Sequence, residues 1–328
     1  VYLKKSYNSI SLVLIINSYP TLEKIMNIVQ NLKWKIASAV LSVCAVSTVS
    51  AETIDLKTSE GIIEATRKIY CSSTDQKITR YMFDGYIYGR KRGEADKLLF
   101  RSTGMTVRQC VSVEDEKRGK GYKLITREIM LYRDPVTGEV LDKWENPYLD
   151  REVDVMHVSN DPVNQRASYP YDAEGKPAAK WVGREIKDSW FINLTVPLFY
   201  HNTMQGDYQK YVGGAYHATE MFSFMGKTDD LLDGDKDVAN VDISWTRLSD
   251  WLPWMEMQGR EGILYVNAIG KLLDSHDELP QVLKDYIRDV EPKYMTPPPI
   301  DDTRSNATTW TVFKERTDPQ RLPFGGHN

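Results

Sequence analysis

The feature that most constrains this sequence is a series of alternating segments separated by turn residues. After Cys71, apolar and aromatic residues recur with a period of two, first between Thr79 and Tyr132 and again from Trp190 to Ile269. This period is typical of strands whose two faces differ. Because strands are many, helices are few and no βαβ order occurs, the sequence predicts a mainly β fold. We expect a single antiparallel domain, barrel-like or a sandwich, with a short N-terminal helix and one C-terminal helix.

The strand predictions cover most of the chain. They are Thr79 to Arg90, Leu98 to Ser102, Thr106 to Val113, Tyr122 to Tyr132, Val140 to Trp144, Val153 to Val158, Trp190 to Val196, Tyr211 to Gly226, Val238 to Leu248, Ile263 to Ile269 and Thr308 to Phe313. The turn residues between Arg133 and Glu139 predict a hairpin. Helices are predicted from about Ser59 to Ile69, and from Ser275, where Glu278 stands three residues after a serine cap.

The first 51 residues are expected to lie outside the folded domain. From Met26, two lysines precede an apolar run of about fifteen residues and then V-S-A, the pattern of a secretory signal cleaved after Ala51. A membrane-spanning helix needs roughly 20 apolar residues, which favours cleavage over a stable anchor. We interpret residues 1–25 as a start assigned too far upstream, 26–51 as a signal peptide and 52–328 as one β-rich domain. The expected location is therefore the periplasm or the extracellular space.

Three cysteines occur in the chain, and Cys44 would leave with the signal. The remaining pair, Cys71 and Cys110, would form a disulfide in an oxidising compartment. The alternative is a pair of buried thiols, and the sequence leaves both open.

The charge balance argues against nucleic acid as a partner. The formal net charge is −4, whereas a phosphate-binding surface needs clustered lysine and arginine. Short basic runs, such as Lys117 to Lys120, are interleaved with acids and are typical of solvated loops.

Two polar positions interrupt otherwise apolar strands. Arg127 and Glu128 are neighbours, so they point to opposite faces, and at least one must be paired or face a polar cavity. The alternative is a structural ion pair or an exposed charge.

His157 precedes Asn160 and Asp161, which indicates either an Asx-type turn or a proton carrier at the rim of a barrel.

His217 and Glu220 are the other candidates for acid–base chemistry. Three residues apart, they would share a face in a helix, but the surrounding glycines, aromatics and Thr219 favour a strand, in which they point oppositely. A metal site built from this pair is therefore not expected, and no H-E-x-x-H or C-x-x-C motif supplies another.

A dense aromatic segment follows. Trp245, Trp251 and Trp254 alternate with Arg247, Asp250 and Glu256, which fits either core packing or the wall of an apolar pocket. Ligand-binding candidates are Arg127, Tyr216, Trp245, Arg247, Trp254 and Glu256. The serine-hydrolase, dinucleotide and P-loop motifs are missing, and no cofactor is indicated.

Five motifs in order resemble the family named domain of unknown function 1838. They are G-M-T-V-R-Q-C (Gly104 to Cys110), T-R-E-I-M-L-Y (Thr126 to Tyr132), H-V-S-N-D-P-V-N (His157 to Asn164), Y-V-G-G-A-Y-H-A-T-E-M-F (Tyr211 to Phe222) and S-W-T-R-L-S-D-W-L-P-W-M-E-M (Ser244 to Met257). The resemblance runs from about Cys71 to Phe313. It implies no activity and assigns no catalytic residue.

Three functions remain open. The first is an exported domain that binds a small, largely apolar ligand. The second is a cofactor-independent lyase, isomerase or cyclase in which His157 or His217 exchanges a proton with a carboxylate such as Glu220. The third is a structural or interaction protein of the periplasm.

Overall fold

The computed structural model describes residues 53–201, 215–257, 259–307 and 309–316. The strands are β1 (Thr79–Arg90), β2 (Lys97–Asp115), β3 (Gly119–Arg133), β4 (Lys143–Asn146), β5 (Arg151–Asp154), β6 (Val158–Asn160), β7 (Arg184–Ile186), β8 (Ser189–His201), β9 (Ala215–Lys227), β10 (Asp242–Ser249) and β11 (Ile263–Leu273). The helices are α1 (Ser59–Tyr70), α2 (Thr228–Leu232), α3 (Gln281–Asp289) and α4 (Thr309–Arg316), and two single 3-10 turns cover Pro253–Met255 and Pro292–Met295. Among these helices, none combines the length and apolar character needed to cross a membrane.

One antiparallel sheet of nine strands dominates the structure, in the order β6-β3-β2-β1-β11-β10-β9-β8-β7. It consists of two meanders, β1 to β3 and β8 to β11, joined where the first long strand pairs with the last. The mainly β, antiparallel prediction is confirmed. Closure into a barrel is not, because β6 and β7 lie at opposite edges of the described sheet and do not pair with each other.

The seam between the meanders requires two glycines. A Cβ atom on Gly85 would lie 2.2 Å from the carbonyl oxygen of Asn267, and one on Gly270 would lie 2.0 Å from that of Met82. The backbones of β1 and β11 therefore approach more closely than any side chain at these positions permits. The register with β11 is unbroken at Gly85, so this glycine marks a close backbone contact and not a bulge.

The sheet curls, and separate groups of apolar side chains cover its outside and its two ends. Outside β2 and β3, Ile129 and Leu131 pack against Leu283 and Ile287 of α3. One end is filled by an aromatic cluster that includes Trp254 and residues of β4 and β5. At the other end α1 and α2 pack against Tyr81, Trp190 and Phe224. The concave face remains as the wall of an interior space.

Helix α1 forms where the sequence predicts it. The Thr58 hydroxyl accepts a hydrogen bond from the Gly61 backbone N–H at 3.0 Å, which satisfies one of the free donors of the first turn. At its end, Cys71 is joined to Cys110 of β2 by a disulfide. This bond ties the helix to the sheet across 39 residues of sequence.

Two local predictions are wrong. Residues 308–313 were expected to form a strand because threonine and valine favour one, but α4 is helical from Thr309 and buries Val312 and Phe313. Tertiary packing outweighs strand propensity there. The helix expected from Ser275 begins only at Gln281, after Pro280. The Ser275 N–H does bond to Glu278 at 2.9 Å, but it closes a turn, because a proline disfavours helical geometry in the residue before it.

We expect the Cys71–Cys110 disulfide to contribute about 4 kcal/mol to the free energy of unfolding, the chain-entropy value for a loop of this length. Iodoacetamide added to the denatured, unreduced protein should therefore label neither cysteine, and both should react after reduction. A Cys71→Ser, Cys110→Ser protein should unfold at a lower urea concentration. Labelling of both thiols without reduction would contradict the bridge.

Candidate functional site

A cavity of about 450 Å³ lies on the concave face of the curled sheet. Its lining comes from both meanders and from β6, so strands distant in the sheet order face one another across it. Most of the wall is apolar and aromatic, and its residues include Phe83, Met130, Phe222, Phe224, Trp245 and Val266. Four charged residues enter this wall: Arg108, Glu128, Glu220 and Arg247.

Arg247 and Glu220 form an ion pair within the wall. They stand directly opposite each other on β10 and β9, with Nη1 and Oε1 2.9 Å apart. The Arg247 Nη2 donates to the hydroxyl of buried Tyr216 at 2.9 Å. Burial alone would lower the pKa of Arg247, but Tyr216 and Glu220 raise it overall. The guanidinium is thus a fixed cation whose charge Glu220 balances.

Of the two carboxyl groups in the wall, Glu128 is the one that has no ion-pair partner among the described residues. It lies deep in the domain on β3, and the surface it retains faces the cavity. Asn160 of β6 donates to its Oε2 at 3.1 Å, the one hydrogen bond Glu128 makes within the described residues. Burial raises the pKa of Glu128, and the nearby charge of Glu220 raises it further. These effects favour the un-ionised carboxylic acid.

Arg108 projects into the cavity from β2. Its Nη1 donates to the carbonyl oxygen of Tyr70 at 3.0 Å and its Nε to the hydroxyl of Thr106 at 3.0 Å. The guanidinium carbon lies 4.5 Å from the centre of the Tyr81 ring, in a cation–π arrangement. Burial lowers the pKa of Arg108 to about 10, which still leaves it charged at neutral pH.

Trp245 forms part of the aromatic wall. It is only 7% exposed, stacks on Phe222 with ring centres 6.4 Å apart and meets Phe83 edge-on at 5.3 Å. Its indole N–H is buried and has no acceptor among the described residues. Such a donor costs free energy unless a bound molecule or water accepts from it.

The two candidate histidines lie away from the cavity. His217 and Glu220 occupy opposite faces of β9, as strand geometry predicts, because the register is unbroken at Ala218 and Thr219. The His217 ring lies at the surface, with its Nδ1 3.3 Å from Asp250. His157 is buried, and its Nδ1 accepts from the backbone N–H of Tyr132 at 3.1 Å.

Proton transfer between a histidine and a carboxylate of the cavity therefore has no geometric support. In the described ranges, no three His, Cys, Asp or Glu side chains converge as a metal site.

Three other candidates are placed outside the cavity wall. Arg127 lies on the opposite face of β3 from Glu128, where its Nη1 donates to the carbonyl oxygen of Lys293 at 2.9 Å and its Nε lies 3.4 Å from Asp161. Trp254 is fully buried in the aromatic cluster. Glu256 forms an ion pair with Arg151. Their roles in the structure are packing and internal pairing, and Tyr216 contributes through Arg247 alone.

Of the four residues Arg127, Glu128, Asn160 and Arg108, the sequence predicted a binding role only for Arg127. Glu128 was considered beside it, Asn160 was assigned to a turn, and Arg108 was missed. A signal for Arg108 does exist. A period of two from Thr106 places Thr106 and Arg108 on one face of the strand and Val107 on the other. Only the curl of the sheet turns that face toward the cavity.

Comparison with known proteins adds a family and no activity. A family model with the description "Protein of unknown function (DUF1838)" matches residues 76–317. No curated protein and no solved structure matches the chain.

We expect Glu128→Gln to stabilise the protein increasingly as pH rises. Burial raises the pKa of Glu128 above its usual 4.5, so above that pH the folded protein holds a proton that the unfolded chain has lost. The free energy of unfolding of the wild type therefore falls with pH, by up to about 1.4 kcal/mol per pH unit. Glutamine has no such proton and keeps an acceptor for Asn160.

Urea unfolding of both proteins at about pH 5 and about pH 7 measures this difference. Glu145→Gln, at an exposed position of β4, is the matched control. A difference between wild type and Glu128→Gln that stays constant with pH would contradict an un-ionised Glu128.

Proposed function

The chain belongs to the DUF1838 family of proteins of unknown function, and from its cavity we propose that it binds one small, largely apolar molecule. The cavity volume of about 450 Å³ lies within the range of roughly 300–1,000 Å³ typical of small-molecule sites. The aromatic wall would bury the apolar body of the ligand, and a few polar groups would orient it.

The observation that carries this proposal is the convergence of Arg108, Glu128 and the Trp245 indole on one cavity wall, where the indole N–H finds no acceptor among the described residues. A purely structural interior tends to pair such groups or replace them with apolar side chains. Here they converge on one space from β2, β3 and β10. That convergence favours a ligand that completes their hydrogen bonds over a purely structural role.

A second candidate function is proton-transfer catalysis with Glu128 as the donor. An un-ionised carboxylic acid facing a largely apolar cavity is a suitable general acid at neutral pH. This version needs no histidine, and it requires a substrate atom beside Glu128. A co-purified molecule whose mass differs between wild type and Glu128→Gln protein would favour turnover over simple binding.

We further propose that the protein is exported, with residues Met26 to Ala51 acting as a cleaved signal peptide. The Cys71–Cys110 disulfide supports this location, because such bonds persist mainly in oxidising compartments.

Binding is testable with N-phenyl-1-naphthylamine, a neutral apolar fluorophore. We expect its fluorescence to rise on mixing with the wild type. Val266→Phe should weaken its binding by about tenfold or more, because the larger side chain takes up part of the cavity. Asn267→Phe is the matched control, since it adds a similar ring at the next position of β11 on the exposed face.

Overpacking costs about 1–3 kcal/mol, so the thermal midpoint of each variant is measured alongside. Leu194→Trp, at a lining position that is 41% exposed, provides a second, less strained obstruction. Equal probe binding by all four folded proteins would place the fluorophore outside the cavity. No binding at all, together with no co-purified molecule in native mass spectrometry, would leave the structural role.

Export is tested by expressing the full chain in a Gram-negative bacterium and sequencing the N-terminus of the periplasmic fraction. We expect the sequence to begin at Glu52. Recovery of an uncleaved chain from the cytoplasm alone would contradict the proposal.

A further inference from the structure

The charged side chains that line the cavity leave one positive charge unbalanced when Glu128 is un-ionised. Arg247 is paired with Glu220 at 2.9 Å, so these two contribute no net charge. The remaining two, Arg108 and Glu128, lie on adjacent strands and face the same space. The ionisation of Glu128 therefore decides whether the cavity is neutral or carries one positive charge.

The surroundings of Glu128 favour the neutral acid. Its Oε2 accepts from Asn160, but Oδ1 of the same amide is buried without a donor among the described residues. An un-ionised carboxyl group carries an O–H that can satisfy an acceptor of this kind, whereas a carboxylate only repels it. Burial and the charge of Glu220 raise the pKa of Glu128, and together they outweigh Asn160 and the two arginines, which lower it.

Arg108 lacks a carboxylate partner. Of its five N–H groups, three donate to Thr106 and to the carbonyl of Tyr70, both of which are uncharged acceptors. Within the described residues Arg108 forms no ion pair, and its hydrogen bonds go to Thr106 and Tyr70. A buried cation compensated only by neutral groups retains a strong preference for an anion.

We propose that the ligand of this cavity is a small organic acid, with an apolar body against the aromatic wall and an anionic head bound by Arg108. The inference rests on the proposed binding function and narrows it to one chemical class. A carboxylate at Arg108 accepts from the two N–H groups that the protein leaves unused. The neutral Glu128 beside it adds no negative charge that would repel the anion.

The charges of the site also argue against cationic, neutral and polyanionic ligands. A cationic ligand would be repelled by Arg108. The carboxylate of Glu220 could not balance the ligand's charge, because it is already bound to Arg247. A neutral apolar ligand would leave the charge of Arg108 uncompensated. A polyanion such as a nucleotide would bring more than one negative charge to Arg108, the one unpaired cation that the described residues place in the wall.

The experiment compares 1-naphthylacetate with 1-naphthylacetamide, which differ mainly in charge, by calorimetric titration at neutral pH. We expect the wild type to bind the acid at least about tenfold more tightly than the amide, since a charge-assisted hydrogen bond exceeds a neutral one by that factor or more. Arg108→Gln should bind both about equally. Its affinity for N-phenyl-1-naphthylamine should stay within a factor of about three, because the apolar wall is intact.

Two further variants keep the test decisive if Arg108→Gln folds poorly. Arg101→Gln removes an arginine of the same strand that pairs with Asp84 outside the cavity, and it should keep the preference for the acid. Glu128→Gln, which is neutral at every pH, should keep that preference too. A gain of tenfold or more in acid binding by Glu128→Gln would mean that Glu128 is ionised in the wild type, which would overturn the inference.

The outcomes separate the inference from the proposed function. Equal or weaker binding of the acid by the wild type, together with binding of the fluorophore, overturns the organic acid and leaves the apolar site. Failure of the acid, the amide and the fluorophore alike overturns both. Tight acid binding that survives in Arg108→Gln places the anion elsewhere and also overturns the assignment to Arg108.

Discussion

The structure depends on the antiparallel ladder between β1 and β11. It joins the two meanders through eleven paired positions, from Arg80 opposite Leu273 to Arg90 opposite Ile263. Without it, the strands that carry Arg108 and Glu128 would not face those that carry Glu220 and Arg247. Gly85 and Gly270 permit the close backbone contact that this seam requires. The ladder spans almost the whole domain in sequence, so its formation closes a very long loop and brings the walls of the cavity together.

The cavity is stable because its polar groups are held by pairs that cross between strands. Glu220 balances Arg247, Tyr216 holds the second guanidinium nitrogen, and Asn160 binds Glu128. Each of these groups would be costly alone in an apolar wall. Three groups are exceptions. Arg108 bonds only to neutral carbonyl and hydroxyl oxygens, and within the described structure the Trp245 indole has no acceptor and Oδ1 of Asn160 has no donor. These groups, left over by internal pairing, are the ones that the proposed ligand would contact.

The alternation of residues predicted the class of fold, most strand positions and the faces of Glu128 and Glu220, because period two is a local property. It could not predict the curl of the sheet, which depends on contacts between β1 and β11 that are distant in sequence. For this reason Arg108 was missed, and His157 and His217 were expected near a cavity from which the fold removes them. Trp254 and Glu256 lie outside the cavity wall, and aromatic density alone could not predict this, because it is the same for a core and for a pocket. The helix at Thr309 shows the converse error, where local preference gave way to packing.

The outer face of the sheet is packed against a helix at β2 and β3 but carries more exposed side chains at β9 and β11. Outside β2 and β3, α3 buries Ile129 and Leu131, whereas in the described structure the outer side chains of β9 and β11 include Met221 at 36% and Ile269 at 72% exposure. One wall of the cavity is thus two layers thick and the other is a single layer backed by solvent. If related proteins bind ligands of different size, as the proposed function allows, the single-layer wall formed by β9 to β11 is the part that can change its curvature. The thick wall, with Arg108 and Glu128, keeps the polar end of the site in place. Variation in specificity among related chains would then accumulate in β9 to β11, and recognition of the head group in β2 and β3.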